Sequence, residues 1–131
     1  MPSVVADASA VIDFLSGMPD GAAVGARFAG AELHAPHVID LEVAHVLRRG
    51  VRLGTITEMQ AGEILQSLRE MKIRRYPHGG LLPRIWQLRH NLTAYDAAYV
   101  ALAELLGAPL VTRDGRLARS AGHGAAIELI A

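Results

Sequence analysis

The chain has 131 residues, no cysteine and a formal net charge of zero, with 51% hydrophobic and 20% charged residues. This length suits one domain with a buried core, the composition excludes a disordered chain, and the lack of cysteine excludes disulfides, thiolate zinc sites and cysteine nucleophiles. No apolar run approaches the ~20 residues of a membrane span, and the amino terminus lacks the basic segment of a signal peptide, so we expect a cytoplasmic protein without a membrane segment.

The first part of the chain alternates short apolar runs with helical patterns. Residues 3–6 form an apolar run that predicts a strand, and residues 10–15 have the pattern of a helix. The segment M-P-D-G that follows predicts a turn. A second short helix is predicted over residues 21–29, and a short strand over residues 32–35.

The middle of the chain is mostly helical. Residues 38–52 carry apolar side chains at helical spacing, which predicts a long helix. Thr57 begins another helix, and its T-E-M-Q start is compatible with a capping box. A strand is predicted over residues 72–76, and two further helices over residues 82–90 and 94–106.

Two short apolar strands, at residues 110–112 and 126–130, complete the pattern. Strands that alternate with helices predict an α/β fold with a central parallel sheet of about four to five strands, because parallel strands need long crossovers and helices supply them. We expect a single domain over residues 1–131. Ligands of such sheets bind beyond the carboxyl ends of the strands, where Asp7 and Asp114 are located.

Four carboxylates occupy positions that allow either a structural or a functional role. Asp7 and Asp114 could each cap the next helix or form an Asx turn. Glu42 borders the apolar stripe of its helix, as expected either of a partly buried glutamate paired with an arginine or of a ligand. Asp96 is the fourth residue of T-A-Y-D, a capping-box spacing that favours a helix cap. The helix after it is apolar on nearly every side, so we expect Asp96 to be buried with it.

These acids make more chemical sense together than singly, provided that their side chains converge. Like charges within a few ångströms repel and raise one another's pKa unless a divalent cation neutralises them. A carboxylate cluster therefore predicts a hard metal such as Mg²⁺ or Mn²⁺. Such an ion binds phosphate oxygens and activates water, so the cluster predicts metal-assisted hydrolysis of a phosphodiester.

Four short motifs run through the chain in order. They are D-A-S beginning at Asp7, a helical glutamate at Glu42, T-A-Y-D-A-A-Y-V-A-L-A around Asp96, and V-T-R-D-G-R-L around Asp114. Together they resemble the PIN-domain ribonucleases, and especially the VapC toxins of bacterial type II toxin–antitoxin pairs. The resemblance spans the whole chain. The last two motifs are highly specific, whereas the first two are weak by themselves.

The resemblance implies a PIN-like fold, a three-layer α/β/α arrangement with helices on both faces of the sheet, and a metal site. In that family the matching acids coordinate one or two Mg²⁺ or Mn²⁺ ions, which here implies Asp7, Glu42, Asp96 and Asp114, with Asp7 and Asp96 as the principal ligands. Ser9 and Thr112 would orient the carboxylates or a bound water.

The resemblance also implies a substrate and partners. The family cleaves RNA endonucleolytically, often transfer or ribosomal RNA, and a cognate VapB-like antitoxin inhibits it by placing its carboxyl-terminal segment in the active-site groove. The helical pair over residues 38–71 would form much of that groove. A homodimer, within a larger toxin–antitoxin assembly, would be typical.

The chain departs from the family pattern just after its last aspartate. Some relatives carry a further acidic or amide residue there, whereas Gly115 and Arg116 follow Asp114 in this chain. A second metal is therefore less strongly implied. Arginine supplies all but one of the 13 basic residues, and guanidinium groups suit phosphate, so Arg113 and Arg116 are candidates for contacting substrate phosphate.

Other functions remain open at this point. A PIN nuclease outside any toxin–antitoxin pair, acting in RNA processing or on DNA, is the main alternative. A receiver domain would need a lysine after its last central strand, and the only lysine, Lys72, is elsewhere. A scaffold module would not need all four acids. Tyr95, Tyr99 and Trp86 are expected to pack in the core rather than to stack on bases.

Overall fold

A computed structural model describes residues 1–17 and 21–130 and contains a parallel sheet of five strands in the order β3-β2-β1-β4-β5. The strands are β1 (Ser3–Ala6), β2 (Glu32–Pro36), β3 (Ile73–Tyr76), β4 (Leu110–Thr112) and β5 (Ile127–Leu129). The predicted fold class is confirmed, and each strand lies within a residue or two of its predicted bounds.

β1 lies at the centre of the sheet because its residues are small or β-branched and apolar. Val4, Val5 and Ala6 have no exposed surface. Ala6 pairs with Val111 of β4, so the carboxyl ends of these two strands lie side by side. Asp7 directly follows β1, and Thr112 is the last residue of β4, so these two residues are neighbours.

Helices cover both faces of the sheet. They are α1 (Ala8–Ser16), α2 (Gly21–Phe28), α3 (Val38–Leu53), α4 (Glu58–Glu70), α5 (Leu82–Gln87), α6 (Ala94–Leu106) and α7 (Gly115–Ala118). α1 packs against α2, α3 and α4, which carry the chain from β1 through β2 to β3. The return to β4 runs through α5 and α6, and right-handed crossovers place these on the opposite face. α6 lies directly on β1, β2 and β4, with every residue from Ala97 to Ala103 buried.

The helix boundaries follow local capping. Asp7 caps α1, so this helix begins at Ala8, two residues before the predicted start. Thr57 and Gln60 form the predicted capping box at the start of α4. α3 ends at Gly54, which has a φ of 76° in the left-handed region that glycine tolerates best.

Two helical segments differ from their predictions. α5 ends at Gln87 rather than at residue 90. The next backbone hydrogen bond, from the N–H of Arg89 to the carbonyl oxygen of Trp86, joins residues three positions apart, as in a turn, and not four apart, as in an α-helix. α7 was not predicted, since its four residues are too few to show a period. The predicted M-P-D-G turn has only its last residue among those described. Within those residues, no helix combines the length and apolar character needed to cross a bilayer.

Candidate active site

Asp7 occupies the carboxyl end of the central strand and is only 6% exposed. Its Oδ1 accepts hydrogen bonds from Ser9 Oγ at 2.7 Å and from the backbone N–H of Ala10 at 3.0 Å. Its Oδ2 accepts a hydrogen bond from Thr112 Oγ1 at 2.5 Å. Asp7 is therefore both the helix cap that its position allowed and a carboxylate fixed by hydroxyl donors.

Ser9 and Thr112, predicted as auxiliary residues, join the ends of β1 and β4. Ser9 Oγ accepts a hydrogen bond from the backbone N–H of Arg113 at 3.0 Å, and Thr112 Oγ1 accepts one from the backbone N–H of Asp114 at 2.9 Å. Thr112 is fully buried. The two hydroxyls thus orient Asp7, and they also hold the backbone of the loop that carries Asp114.

Glu42 extends from α3 and is held by α6. Its Oε1 accepts a hydrogen bond from the hydroxyl of Tyr99 at 2.6 Å. The sequence offered an arginine as the partner of a buried Glu42, but the partner recorded among the described residues is this tyrosine. Because the donor is neutral, it does not offset the charge of the Glu42 carboxylate.

Asp96 and Asp114 complete the cluster from α6 and from the start of α7. Asp96 lies in the first turn of α6, and its backbone N–H donates to the capping Thr93 hydroxyl at 3.2 Å. Asp114 caps α7 by accepting from the backbone N–H of Arg116 at 2.9 Å. The guanidinium of Arg116 lies 3.4 Å from Asp96 Oδ2 and 3.6 Å from Asp114 Oδ2, so one cation bridges both acids.

The carboxylates act on one another electrostatically. Burial raises the pKa of Asp7, and the hydrogen bond from Thr112 is the strongest opposing influence. Burial likewise raises the pKa of Glu42 and of Asp96. The charge of Asp114 further raises the pKa of Asp7 and of Asp96, and the charges of Asp96 and Asp7 further raise that of Glu42. Four acids from four separate elements therefore share one electrostatic environment.

This environment suits a hard cation by donor type and by charge. All four side chains offer oxygen ligands, and three of them have a raised pKa. The positive charge that faces them is the guanidinium of Arg116. Within residues 1–17 and 21–130, however, no three aspartate, glutamate or histidine side chains stand close enough together to form a ready-made ligand set. The acids are held instead by Ser9 and Thr112, by Tyr99 and by Arg116.

The two arginines predicted to contact phosphate have different surroundings. The Arg113 guanidinium forms an ion pair with Asp13 of α1 at 2.6 Å and donates to the carbonyl oxygen of Ile130 at 3.1 Å. Arg116 faces the acidic cluster, and its side chain is 74% exposed. Of the two, Arg116 is the one placed where it could change partners.

The three aromatic side chains expected in the core have different positions. Tyr99 is 1% exposed, and the hydrogen bond from its hydroxyl to Glu42 was not predicted from the sequence. A signal was available, because a buried tyrosine hydroxyl needs a partner. Trp86 and Tyr95 are 66% and 61% exposed, so the prediction of core packing is wrong for both. Their helices, α5 and the first turn of α6, present these side chains to solvent.

Comparison with known sequences gives consistent results. A family model described as PIN domain matches residues 4–122. Ribonuclease VapC12 of Mycobacterium tuberculosis is 43% identical over 128 residues, covering 98% of this chain and 99% of the relative. Ribonuclease VapC1 of the same organism is 45% identical over 132 residues, covering 99% of each.

Solved structures share the fold. PAE2754 from Pyrobaculum aerophilum superposes with a TM-score of 0.71 at 24% identity, covering 96% of this chain and 83% of that one. VapBC2 from Rickettsia felis, solved bound to a promoter DNA fragment, superposes with a TM-score of 0.70 at 11% identity, covering 97% and 98% of the two chains. At these identities the structural comparisons establish the architecture alone.

Proposed function

The chain belongs to the PIN-domain family, and from that premise we propose that it is a Mg²⁺- or Mn²⁺-dependent endoribonuclease and the toxin of a type II toxin–antitoxin pair. The observation that carries the proposal is the electrostatic coupling of Asp7, Glu42, Asp96 and Asp114 at the carboxyl edge of the sheet. The relatives named ribonucleases align over nearly the whole chain, which supports RNA as the substrate.

The four carboxylates are the groups that would hold the ion. A divalent cation there would supply positive charge to the scissile phosphate and activate water for in-line hydrolysis. Ser9 and Thr112 keep Asp7 in one orientation, and Tyr99 does the same for Glu42, so these two acids need little rearrangement.

Arg116 would have to leave the acids for an ion to bind beside them. Its side chain is exposed, and exposed ion pairs contribute only about 0–1 kcal/mol, so release costs little. Once released, the guanidinium is free to bind a phosphate oxygen of the substrate, the role the sequence suggested for it.

The toxin role adds a protein partner. α3 and α4 carry large exposed apolar side chains, which mark surfaces for association. These side chains are Leu41, Val46, Leu53, Met59 and Leu65. A VapB-like antitoxin bound along this helical pair, and a toxin homodimer within a larger assembly, would cover them. The Rickettsia felis relative was solved as a VapBC2 complex, which supports such a partner.

The nuclease assignment is tested with purified protein and structured RNA. Cleavage should require Mg²⁺ or Mn²⁺ and should fall by at least about 100-fold in Asp7→Asn and in Asp96→Asn, because each removes a charge from the reacting site. Asp40→Asn is the matched control, since Asp40 lies on α3 but forms an ion pair with Arg75 at 2.8 Å. Full activity in both folded site variants would refute the assignment.

The toxin assignment needs a separate test. Induced expression should arrest growth, the Asp7→Asn variant should be harmless, and co-expression of a VapB-like antitoxin encoded beside the toxin gene should rescue growth. Harmless expression of an active nuclease would instead favour a PIN nuclease acting outside a toxin–antitoxin pair.

A further inference from the structure

A cavity of about 590 Å³ adjoins the acidic cluster, and Asp96 and Arg116 form part of its wall. We propose that this cavity binds the RNA nucleotide next to the scissile phosphate, with Arg89 and Arg119 holding its phosphate. The inference rests on the proposed ribonuclease function and adds to it a substrate subsite with named residues. The volume is within the range of about 300–1,000 Å³ typical of small-ligand pockets and is therefore large enough for a nucleotide.

The charge of the cavity favours an anion. Three arginines line it, and Asp96 is the single acid among the described lining residues. Asp96 is already bridged by Arg116, which leaves the other two guanidinium groups uncompensated. Neither Arg89 nor Arg119 forms an ion pair with a carboxylate within residues 1–17 and 21–130. Because the whole chain is neutral, this concentration of positive charge beside the acids is a local feature.

The position of Arg119 connects the cavity to the acids. A methyl group on Gly115 would lie 3.0 Å from Nη1 of Arg119, so the guanidinium lies back over the first turn of α7. That turn begins at Asp114, whose carboxylate also faces Arg116. An RNA strand whose scissile phosphate lies at the acids would therefore contact Arg116 there, and its next phosphate would contact Arg119.

Arg89 adds a flat surface at the edge of the cavity. Its guanidinium lies 4.5 Å from the centroid of the Trp86 ring, and its Nη1 donates to the carbonyl oxygen of Trp86 at 2.9 Å. The indole therefore holds the guanidinium plane in place. Bases of single-stranded RNA stack on such planes.

A second cavity lined by arginines is less suited to this role. It lies along α3, has a volume of about 310 Å³, and is lined by His45, Arg48, Arg49, Arg52 and Leu53. It shares no residue with the acidic cluster. Of these two cavities, the one beside Asp96 combines uncompensated arginines with direct continuity to the reacting site.

The test is binding of a fluorescein-labelled, 12-nucleotide single-stranded RNA of mixed sequence, measured by fluorescence polarisation in Ca²⁺ over a range of salt concentrations. Arg89→Gln and Arg119→Gln should each raise Kd about fivefold and reduce the slope of log Kd against log salt by about 0.7, the value expected for one lost phosphate contact. Both side chains are exposed, so both variants should keep their fold, which thermal unfolding checks.

Arg69→Gln is the matched control because it removes the same charge from an exposed arginine on α4 that lines no cavity described above. Its salt slope should equal that of the wild type. If Arg89→Gln and Arg119→Gln have the control's slope while the wild type cleaves RNA, the subsite is refuted and the ribonuclease function stands. A wild type that neither binds nor cleaves RNA refutes both.

An acidic polypeptide is the competing occupant of the cavity. The same three variants are therefore titrated with a labelled 12-residue glutamate peptide. Loss of peptide binding in Arg89→Gln and Arg119→Gln, with RNA binding unchanged, would assign the cavity to a protein partner and overturn the proposal.

Discussion

The fold holds the two halves of the acidic cluster in different ways. Asp7 and Glu42 accept hydrogen bonds from hydroxyl groups of Ser9, Thr112 and Tyr99, which fix the carboxylates without adding an opposite charge. Asp96 and Asp114 instead share an exposed guanidinium, that of Arg116. One half is therefore held by neutral donors, whereas the other faces a positive charge on an exposed side chain that can leave.

The largest effect on stability is expected in the half held by neutral donors. Thr112→Val keeps the shape of the side chain but removes the donor to Asp7 Oδ2 and the acceptor for the backbone N–H of Asp114. Leaving such buried groups unpaired should lower the free energy of unfolding by about 1–3 kcal/mol, measured by urea denaturation. Thr55→Val is the control, because the Thr55 hydroxyl is exposed. Equal stability of the two variants would show that the hydroxyl network does not fix this half.

An intermediate effect on stability is expected at Tyr99, whose hydrogen bond links α6 to Glu42. Tyr99→Phe should cost about 1 kcal/mol for the lost hydrogen bond. The hydroxyl lowers the pKa of Glu42 against the effect of burial, so its removal should raise that pKa further. Glu42 then becomes protonated at higher pH. As pH falls, Mn²⁺ binding should therefore be lost at a higher pH in the variant than in the wild type.

Tyr95→Phe provides the comparison on the same helix, because Tyr95 is exposed to solvent. Its pH profile of Mn²⁺ binding, followed by electron paramagnetic resonance of the free ion, should coincide with that of the wild type. A Tyr99→Phe profile that also coincides would mean that Glu42 does not take part in holding the ion.

The smallest effect on stability is expected in the exchangeable half. Arg116→Gln should change the free energy of unfolding by less than about 0.5 kcal/mol, since the side chain is exposed. It should nevertheless raise Mn²⁺ affinity about threefold to tenfold at low salt, because a competing positive charge is removed. Arg69→Gln makes the same charge change at an exposed arginine of α4 that forms no ion pair with these acids, and it should leave Mn²⁺ affinity unchanged. Unchanged affinity in Arg116→Gln as well would show that both halves are equally fixed.

The sequence determined the α/β fold and the order of its elements. Strongly apolar runs and helical spacing specify strands and helices locally, and alternation of the two specifies parallel pairing because crossovers need helices. The exact bounds of α6 and β4 were predicted for this reason. The sequence also predicted a role for the four acids together, since a convergence of carboxylates predicts a cation and the motif order resembles the PIN-domain family.

Only the tertiary structure decided which groups hold these acids. Tyr99 and Glu42 are 57 positions apart, and Thr112 and Asp7 are 105 apart, so no local pattern pairs them. The exposure of Trp86 likewise depends on where α5 ends, which the backbone geometry sets. Hydrogen-bond partners and open cavities form only when segments distant in the sequence pack together, so the residues of one segment do not predict them.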